Sequence, residues 1–156
     1  MFKILIASDS HHNTEKLHKL YKTYPNMDLY LFAGDSEDFP NALYPFDSVK
    51  GNCDYYNYDE KRFIRLPYGN LLMKHHPSLT KEESNDIKIF VHGHTHVPKI
   101  SKKDGIITIC PGSLSYSRNA EGESFAILEC SNDSIEIKIL SFETKMVLLK
   151  INNKLK

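Results

Sequence analysis

The sequence predicts an α/β fold: a four-layer αββα sandwich of two mixed β-sheets flanked by helices, formed by residues 1–156 as a single domain. Three observations predict it. Apolar runs of strand length alternate with a helical segment in the first half of the chain. After His96 the pattern is entirely β. Five of the apolar runs end in short segments rich in Asp, Asn or His. Alternating β and α followed by hairpins suits two sheets with helices outside.

Residues 2–7 are mostly apolar, as in a strand buried on both faces, and the run stops at Ser8-Asp9-Ser10-His11-His12. A helix follows, with Asn13 or Thr14 as its cap. Leu17, Leu20, Tyr21 and Tyr24 share one face at helical spacing, and Pro25-Asn26 closes the segment. Residues 29–33 form a second apolar strand ending at Gly34-Asp35. Residues 48–50 are a short third, ending at Gly51-Asn52-Cys53-Asp54. Residues 62–66 alternate polar and apolar, as in a half-exposed strand. Residues 71–73 end at Lys74-His75-His76. Thr80 and Glu83 have capping-box spacing and open a helical turn or two. Residues 87–91 form a strand that ends at His92-Gly93-His94-Thr95-His96. Asp104-Gly105 signals a hairpin turn. Residues 106–110, 125–129, 135–140 and 146–151 complete the strands.

A chain of 156 residues suits one domain with a substantial core. Twenty basic and twenty acidic side chains cancel. An obligate nucleic-acid binder is usually visibly basic, so nucleic acid is disfavoured as a fixed partner, though not as a substrate. Cys53, Cys110 and Cys130 form no CxxC pair, which points to free thiols in a reducing cytosol. The N-terminal apolar run is too short for a signal peptide or a membrane span.

The strand ends carry the chemistry. In open α/β sheets, ligands bind in the crevice beyond the carboxyl ends of the strands. His94 and His96 are two residues apart, so in an extended segment they point the same way. His92 shares that face if the strand continues, whereas Gly93 favours a turn. An HxH beside glycine at a strand end points to a metal as readily as to structure. Asp9 and His11 repeat the spacing as a mixed oxygen and nitrogen pair suited to divalent transition metals. Read singly, Asp9 is a capping acid, and Gly34-Asp35 and Asn52 are turn residues.

Read together, Asp9-Ser10-His11, Gly34-Asp35, Gly51-Asn52-Cys53-Asp54, the His75/His76 region and Gly93-His94-Thr95-His96 resemble the ordered motifs of the calcineurin-like metallophosphoesterases. The similarity is to the small single-domain bacterial and archaeal phosphodiesterases of that superfamily. It continues through Pro98 and Cys110-Pro111-Gly112-Ser113 to Arg118, covering residues 2–140. The resemblance implies a phosphodiesterase with two divalent cations, Mn first and Ni, Fe or Zn as alternatives. One cation would take Asp9, His11 and His96. The other would take Asn52, His94 and a histidine of the 75/76 pair, and Asp35 would bridge them. It implies in-line attack by a hydroxide held between the metals on a small phosphate ester. Asn52, Cys53, Asp54 and Arg118 would be catalytic, Arg118 by forking onto phosphate oxygens.

Two positions depart from the family pattern. Relatives read H-G-H or H-G where this chain reads Lys74-His75-His76-Pro77. A gap-free alignment puts Lys74 in the ligand position, and a shift by one gives the role to His75, with His76 as the alternative. Cys53 stands where many relatives carry a proton-donating histidine, and a thiol is a poor donor to oxygen. Activated esters should therefore be preferred. His12, in place of a usual Gly, is a substitute acid or a solvated loop residue, and Ser113 shapes its loop. The rival reading is a non-enzymatic protein-interaction scaffold of the same fold with a degraded metal site. A lactamase-like zinc hydrolase, suggested by His92, His94 and His96, lacks the acid its motif needs. The late strands or the Lys-rich C-terminal segment are candidates for a homodimer contact. No membrane partner is expected.

Overall fold

The computed structural model describes residues 1–115 and 122–155. In the first sheet β1 (Phe2–Ala7), β2 (Leu29–Phe32) and β3 (Asp47–Ser48) run parallel. It is extended antiparallel by β9 (Ser124–Cys130), β10 (Ser134–Ser141) and β11 (Val147–Lys154), giving the order β11-β10-β9-β1-β2-β3. The second sheet contains β4 (Lys61–Arg65), β5 (Asn70–Lys74), β6 (Ile89–Val91), β7 (Lys99–Lys103) and β8 (Ile106–Cys110), in the order β4-β5-β6-β8-β7. Strands β5, β6 and β8 are parallel, and β4 and β7 close the edges antiparallel. Both sheets are mixed.

Strand parity divides the apolar residues between two layers. Ile4 and Ile6 of β1, Leu31 of β2, Leu71 and Met73 of β5, and Ile89 and Val91 of β6 pack between the sheets with Ile109, Leu128 and Ile137. Fully burying each such side chain contributes about 1.5–3 kcal/mol. The opposite parity of the first sheet, Leu5, Ala7, Phe32 and Phe125, packs under Leu17 and Leu20 of helix α1 (Thr14–Thr23). Asn13 takes the N-cap position of α1 without a side-chain cap bond. On the outer face of the second sheet, Leu72 and Phe90 pack with Ile87 and Leu79.

Helix α2 (Lys81–Ser84) is a single turn, held by the Thr80–Glu83 capping box. Glu83 also accepts from Lys61 at 2.9 Å and Lys74 at 3.0 Å, tying α2 to β4 and β5. The helical layers are thus thin beside the sheets. Two elements went unread in the sequence. They are the 3-10 turn Pro40–Leu43 and β7, whose lysine-rich strand forms by pairing with β8 across Asp104-Gly105. No helix among the described residues is long and apolar enough to cross a membrane.

Candidate metal centre

The carboxyl ends of β1, β2 and β3 lie along one edge of the first sheet, and those of β5 and β6 along one edge of the second. The loops after these strands meet. The backbone N–H of Asp9 donates to Gly34 O at 3.0 Å, that of His11 to Asp35 O at 3.0 Å, and that of Gly93 to His75 O at 2.9 Å.

Asp9 is fully buried. Its Oδ2 accepts from Ser8 Oγ at 2.5 Å and from the His94 N–H at 3.2 Å. Among the described residues its Oδ1 accepts no hydrogen bond, and it lies 3.2 Å from His96 Nε2 and 3.9 Å from His11 Nε2. Each of Asp9, His11 and His96 offers a donor atom, all within 4.8 Å of one another. His11 Nδ1 meets Glu37 Oε2 at 2.8 Å. A carboxylate on one ring nitrogen orients the other toward a cation and raises its basicity.

A second convergence lies beside the first. Asn52 Oδ1 is 2.9 Å from His75 Nε2 and 3.1 Å from His94 Nδ1. His75 is anchored from behind, its Nδ1 donating to Ala33 O at 2.7 Å. Asp35 faces both groups. Its Oδ2 is 3.2 Å from His75 Nε2, and it shares a 4.8 Å cluster with Asp9 and His75 and another with His11 and Cys53.

The electrostatics follow from this crowding. Burial works to raise the Asp35 pKa, but the His75 ring and the Cys53 N–H outweigh it and hold the carboxyl below its ordinary value. Burial likewise disfavours charge on His75, yet the Asp35 hydrogen bond and the Asp9 charge raise its pKa overall. For His94, burial and then the neighbouring His75 and His76 lower it. These carboxylates attract positive charge, whether a proton on His75 or a cation.

The backbone here is unusual. Asp9, His11, Asp35, His94 and His96 all have positive φ, between 44° and 71°. Left-handed backbone is uncommon for residues other than glycine and costs about 1–2 kcal/mol each. Such outliers gather where surrounding structure holds them for a purpose. Two glycines permit the close approach. A Cβ on Gly93 would lie 2.2 Å from Ser8 Oγ and 2.8 Å from Asp9 Oδ2, and one on Gly51 would lie 2.0 Å from Asp35 Oδ1.

The remaining expectations divide. His76 stacks on His94 at 5.3 Å between ring centroids, but its Nδ1 is taken by Ser78, through Oγ at 3.1 Å and the backbone N–H at 3.2 Å. Lys74 turns outward to Glu83 and Ser78 O. His92 also turns outward, packing on Phe90 at 5.6 Å with Nδ1 on Gly93 O, so the His92-x-His94-x-His96 trio does not assemble. Asp54 is held by backbone donors. Both its oxygens are used by backbone N–H groups, Oδ2 by Asp35 at 3.0 Å and Gly51 at 2.7 Å, Oδ1 by Glu37 at 2.8 Å. It clasps the loop after β2 to the loop after β3.

Cys53 sits with His11 and Asp35, and burial, helped by Asp35 and Glu37, pushes its thiol pKa up. His12 is on the surface, 3.3 Å from Asp38. Ser113 Oγ donates to Asp9 O at 2.9 Å and accepts the Ser115 N–H at 3.0 Å, a loop-shaping part. Arg118 lies outside the described residues. Glu37 went unread in the sequence, and its one signal was an acid two residues beyond Asp35.

The calcineurin-like phosphoesterase superfamily domain matches residues 2–133. The chain is 33% identical to the probable metallophosphoesterase YsnB of Bacillus subtilis (strain 168), over 86% of this chain and 88% of that one. A solved structure of a predicted phosphoesterase from Streptococcus pneumoniae TIGR4 is similar with a TM-score of 0.83, at 24% identity, covering 98% of this chain and 97% of that one. Vps29 of Entamoeba histolytica, solved with zinc, is similar with a TM-score of 0.71, at 20% identity, over 97% and 99%. The two structural likenesses, at such identities, establish the fold alone. The domain match and the YsnB relationship carry the family assignment: the chain belongs to the calcineurin-like phosphoesterase superfamily, a family of metal-dependent phosphoesterases.

Proposed function

We propose that this chain is a phosphodiesterase that works with two divalent cations, Mn foremost. The observation that carries the reading is the pair of adjoining convergences. Asn52 Oδ1, His75 and His94 meet within 3.1 Å of the shared oxygen. Asp9 Oδ1 waits 3.2 Å from His96 beside them. One cation would be held by Asp9, His11 and His96, the other by Asn52, His75 and His94, with Asp35 between. Carboxylate, imidazole and amide oxygen together suit Mn, Fe, Ni or Zn better than Ca or Mg. Bound there, such a pair would supply an acidified water and clamp the oxygens of an in-line displacement.

The chain's own residues do the positioning. Glu37 orients His11, the Ala33 carbonyl orients His75, and Asp54 ties the loops that carry Asp35 and Asn52. Beside Asn52, His75, His76 and His94 opens a cavity of about 620 Å³, with Lys50 and Lys74 in its wall, large enough for one ester group of a small substrate. Cys53 stays protonated and donates poorly to oxygen, so leaving groups that need little protonation should turn over fastest. The free thiols Cys53, Cys110 and Cys130 accord with a reducing cytosol.

The scaffold reading draws on the Vps29 likeness. That protein was itself solved with zinc, so bound metal alone does not separate the two readings and ester turnover must. The test is metal analysis of the purified protein with an aryl phosphodiester assay in added Mn. The reading expects bound metal and Mn-dependent turnover that a chelator stops. Protein that turns over no ester, with or without bound metal, belongs to the scaffold reading.

A further inference from the structure

The cavity of about 620 Å³ beside Asn52, His75 and His94 is of a size that takes a whole small ligand, so room remains in it beyond a reacting ester group. Ligand sites are ordinarily lined mostly by apolar and aromatic side chains, with a few polar groups among them. This wall has the opposite character. Among the described residues, every side chain that lines it is polar or charged, Gly51 apart. Such a wall offers little to an alkyl chain or a phenyl ring and much to an ion.

Lysines give the wall its sign. Lys61 and Lys74 stand directly opposite each other on β4 and β5, a placement that like charges disfavour. Glu83 holds them there, 2.9 Å from Lys61 Nζ and 3.0 Å from Lys74 Nζ. One carboxylate against two ammoniums leaves one positive charge over. Lys50 is placed differently. Its own N–H donates to Asp59 O at 2.8 Å, the next N–H donates to Asp54 at 2.7 Å, and Val49 before it is buried between the sheets. The backbone is thus fixed on both sides of a half-buried lysine whose ammonium meets no acceptor among the described residues. Of the other acids in the wall, Asp54 is taken by backbone donors, and Glu60 is exposed with no ion pair among the described residues. Asn52 is two residues from Lys50, at most about 7 Å between Cα atoms, so the free ammonium and the ligand-type side chains share one cavity.

We propose that this wall is a subsite for a second anionic group on the substrate, a carboxylate or phosphate borne away from the reacting phosphorus, and that Lys50 selects for it. The proposal rests on the phosphoesterase reading of the metal centre and adds the charge that the rest of the substrate must bear. Lys61 and Lys74 are engaged by Glu83, so they contribute potential rather than bonds. Lys50 keeps its three N–H donors for a charge-assisted bond to the ligand. Acidic and basic side chains balance over the whole chain, so the attraction is local to this wall and does not come from the protein's overall charge.

The experiment uses alkylphosphonates with tethers of two to four methylenes, ending in a methyl, a carboxylate or a second phosphonate. The first phosphonate engages the metal centre and is not hydrolysed, and the tail samples the wall. Each is titrated calorimetrically into full-length Mn-loaded protein: wild type, Lys50→Gln, Lys50→Arg, and Lys103→Gln on the edge strand β7, which makes the same change of charge outside the cavity. At one tether length or more, wild type is expected to bind an anionic tail at least about fivefold more tightly than the methyl tail. Lys50→Gln should bring that ratio to within about twofold of unity, whereas Lys50→Arg and Lys103→Gln should keep it. The ratio is taken within each protein, so a general loss of binding cancels, and the tail that gains more, carboxylate or phosphonate, names the group. No gain at any tether length in wild type overturns the subsite, as does a gain that survives Lys50→Gln or is lost equally in Lys103→Gln. If the methyl-tailed phosphonates do not bind and an aryl diester is not turned over, the phosphoesterase reading has failed and the subsite falls with it. If they bind and the diester is turned over but the anionic tail adds nothing, the subsite alone falls.

Discussion

Replacing Asp35 by Asn tests the bridging position through stability as well as rate. Carboxylate oxygens of Asp9 and Asp35 lie within 4.8 Å of each other. At an effective dielectric constant near 20 their repulsion is about 3.5 kcal/mol. Asparagine removes that repulsion and keeps an acceptor for the Cys53 N–H. It also weakens the contact with His75 Nε2 at 3.2 Å, a charge-assisted bond contributing about 1.5–3 kcal/mol. The two changes nearly offset, so the chelated variant should be within about 1–2 kcal/mol of chelated wild type. Added Mn separates them. At a hundred times its dissociation constant, a ligand stabilises the fold by about 2.7 kcal/mol. For a chain of this length each kcal/mol moves the melting temperature by about 2–4 °C. Wild type should therefore rise about 5–10 °C on Mn addition and Asp35→Asn by less than half of that. Calorimetric scans with chelator and with Mn, paired with an aryl diester assay, read both effects. An equal Mn-induced rise in the two proteins, or wild-type turnover in the variant, refutes the bridging role.

Glu37→Ala frees the His11 ring and should weaken Mn binding about 10- to 100-fold, measured by competition with a metal-sensitive dye. His75→Ala should take bound metal from two ions toward one and cut turnover by more than about a hundredfold, whereas His76→Ala should leave the metal count unchanged and turnover within about tenfold; the reverse order would give the ligand position to His76. Gly93→Ala drives a methyl into Ser8 and Asp9 and should lower stability by about 1–3 kcal/mol in urea titrations, with turnover lost. The Glu83 carboxyl is lowered to about 2 by the Thr80 N–H, against burial, and by Lys61 and Lys74. A depressed carboxyl stabilises above its unfolded value near 4.5 and loses that contribution as pH falls toward 2. Glu83→Gln should thus cost about 1–2 kcal/mol at pH 7, with the gap to wild type closing between pH 4.5 and 2; a gap unchanged at pH 2 contradicts the assignment.

Much of the site was legible because strand ends are legible. Apolar runs fixed where β1, β2, β5 and β6 stop, and the ligand-type residues followed at once. Parity also says which way Lys74 and His75 point. Leu71 and Met73 face the space between the sheets, so His75 continues inward and Lys74 outward. The same alternation sends His92 out beside Phe90. The short helix α2 was legible through Thr80 and Glu83 despite its four residues. Other features had no local signal. Strand β7 reads Lys-Ile-Ser-Lys-Lys and owes its form to a neighbour. Glu37 acquires its part only when the loop after β2 folds over His11. The three backbone partners of Asp54 come from folding and have no signal in the sequence.

The positive-φ residues carry one further consequence. Five ligand-type side chains are presented by backbone that glycine would adopt with less strain, so the metal site is under standing tension against the fold that bears it. Exchanging any of Asp9, His11, Asp35, His94 or His96 for glycine would relieve about 1–2 kcal/mol of backbone strain and remove a ligand-type side chain in the same step, so ease of folding and capacity to hold a cation pull against each other there.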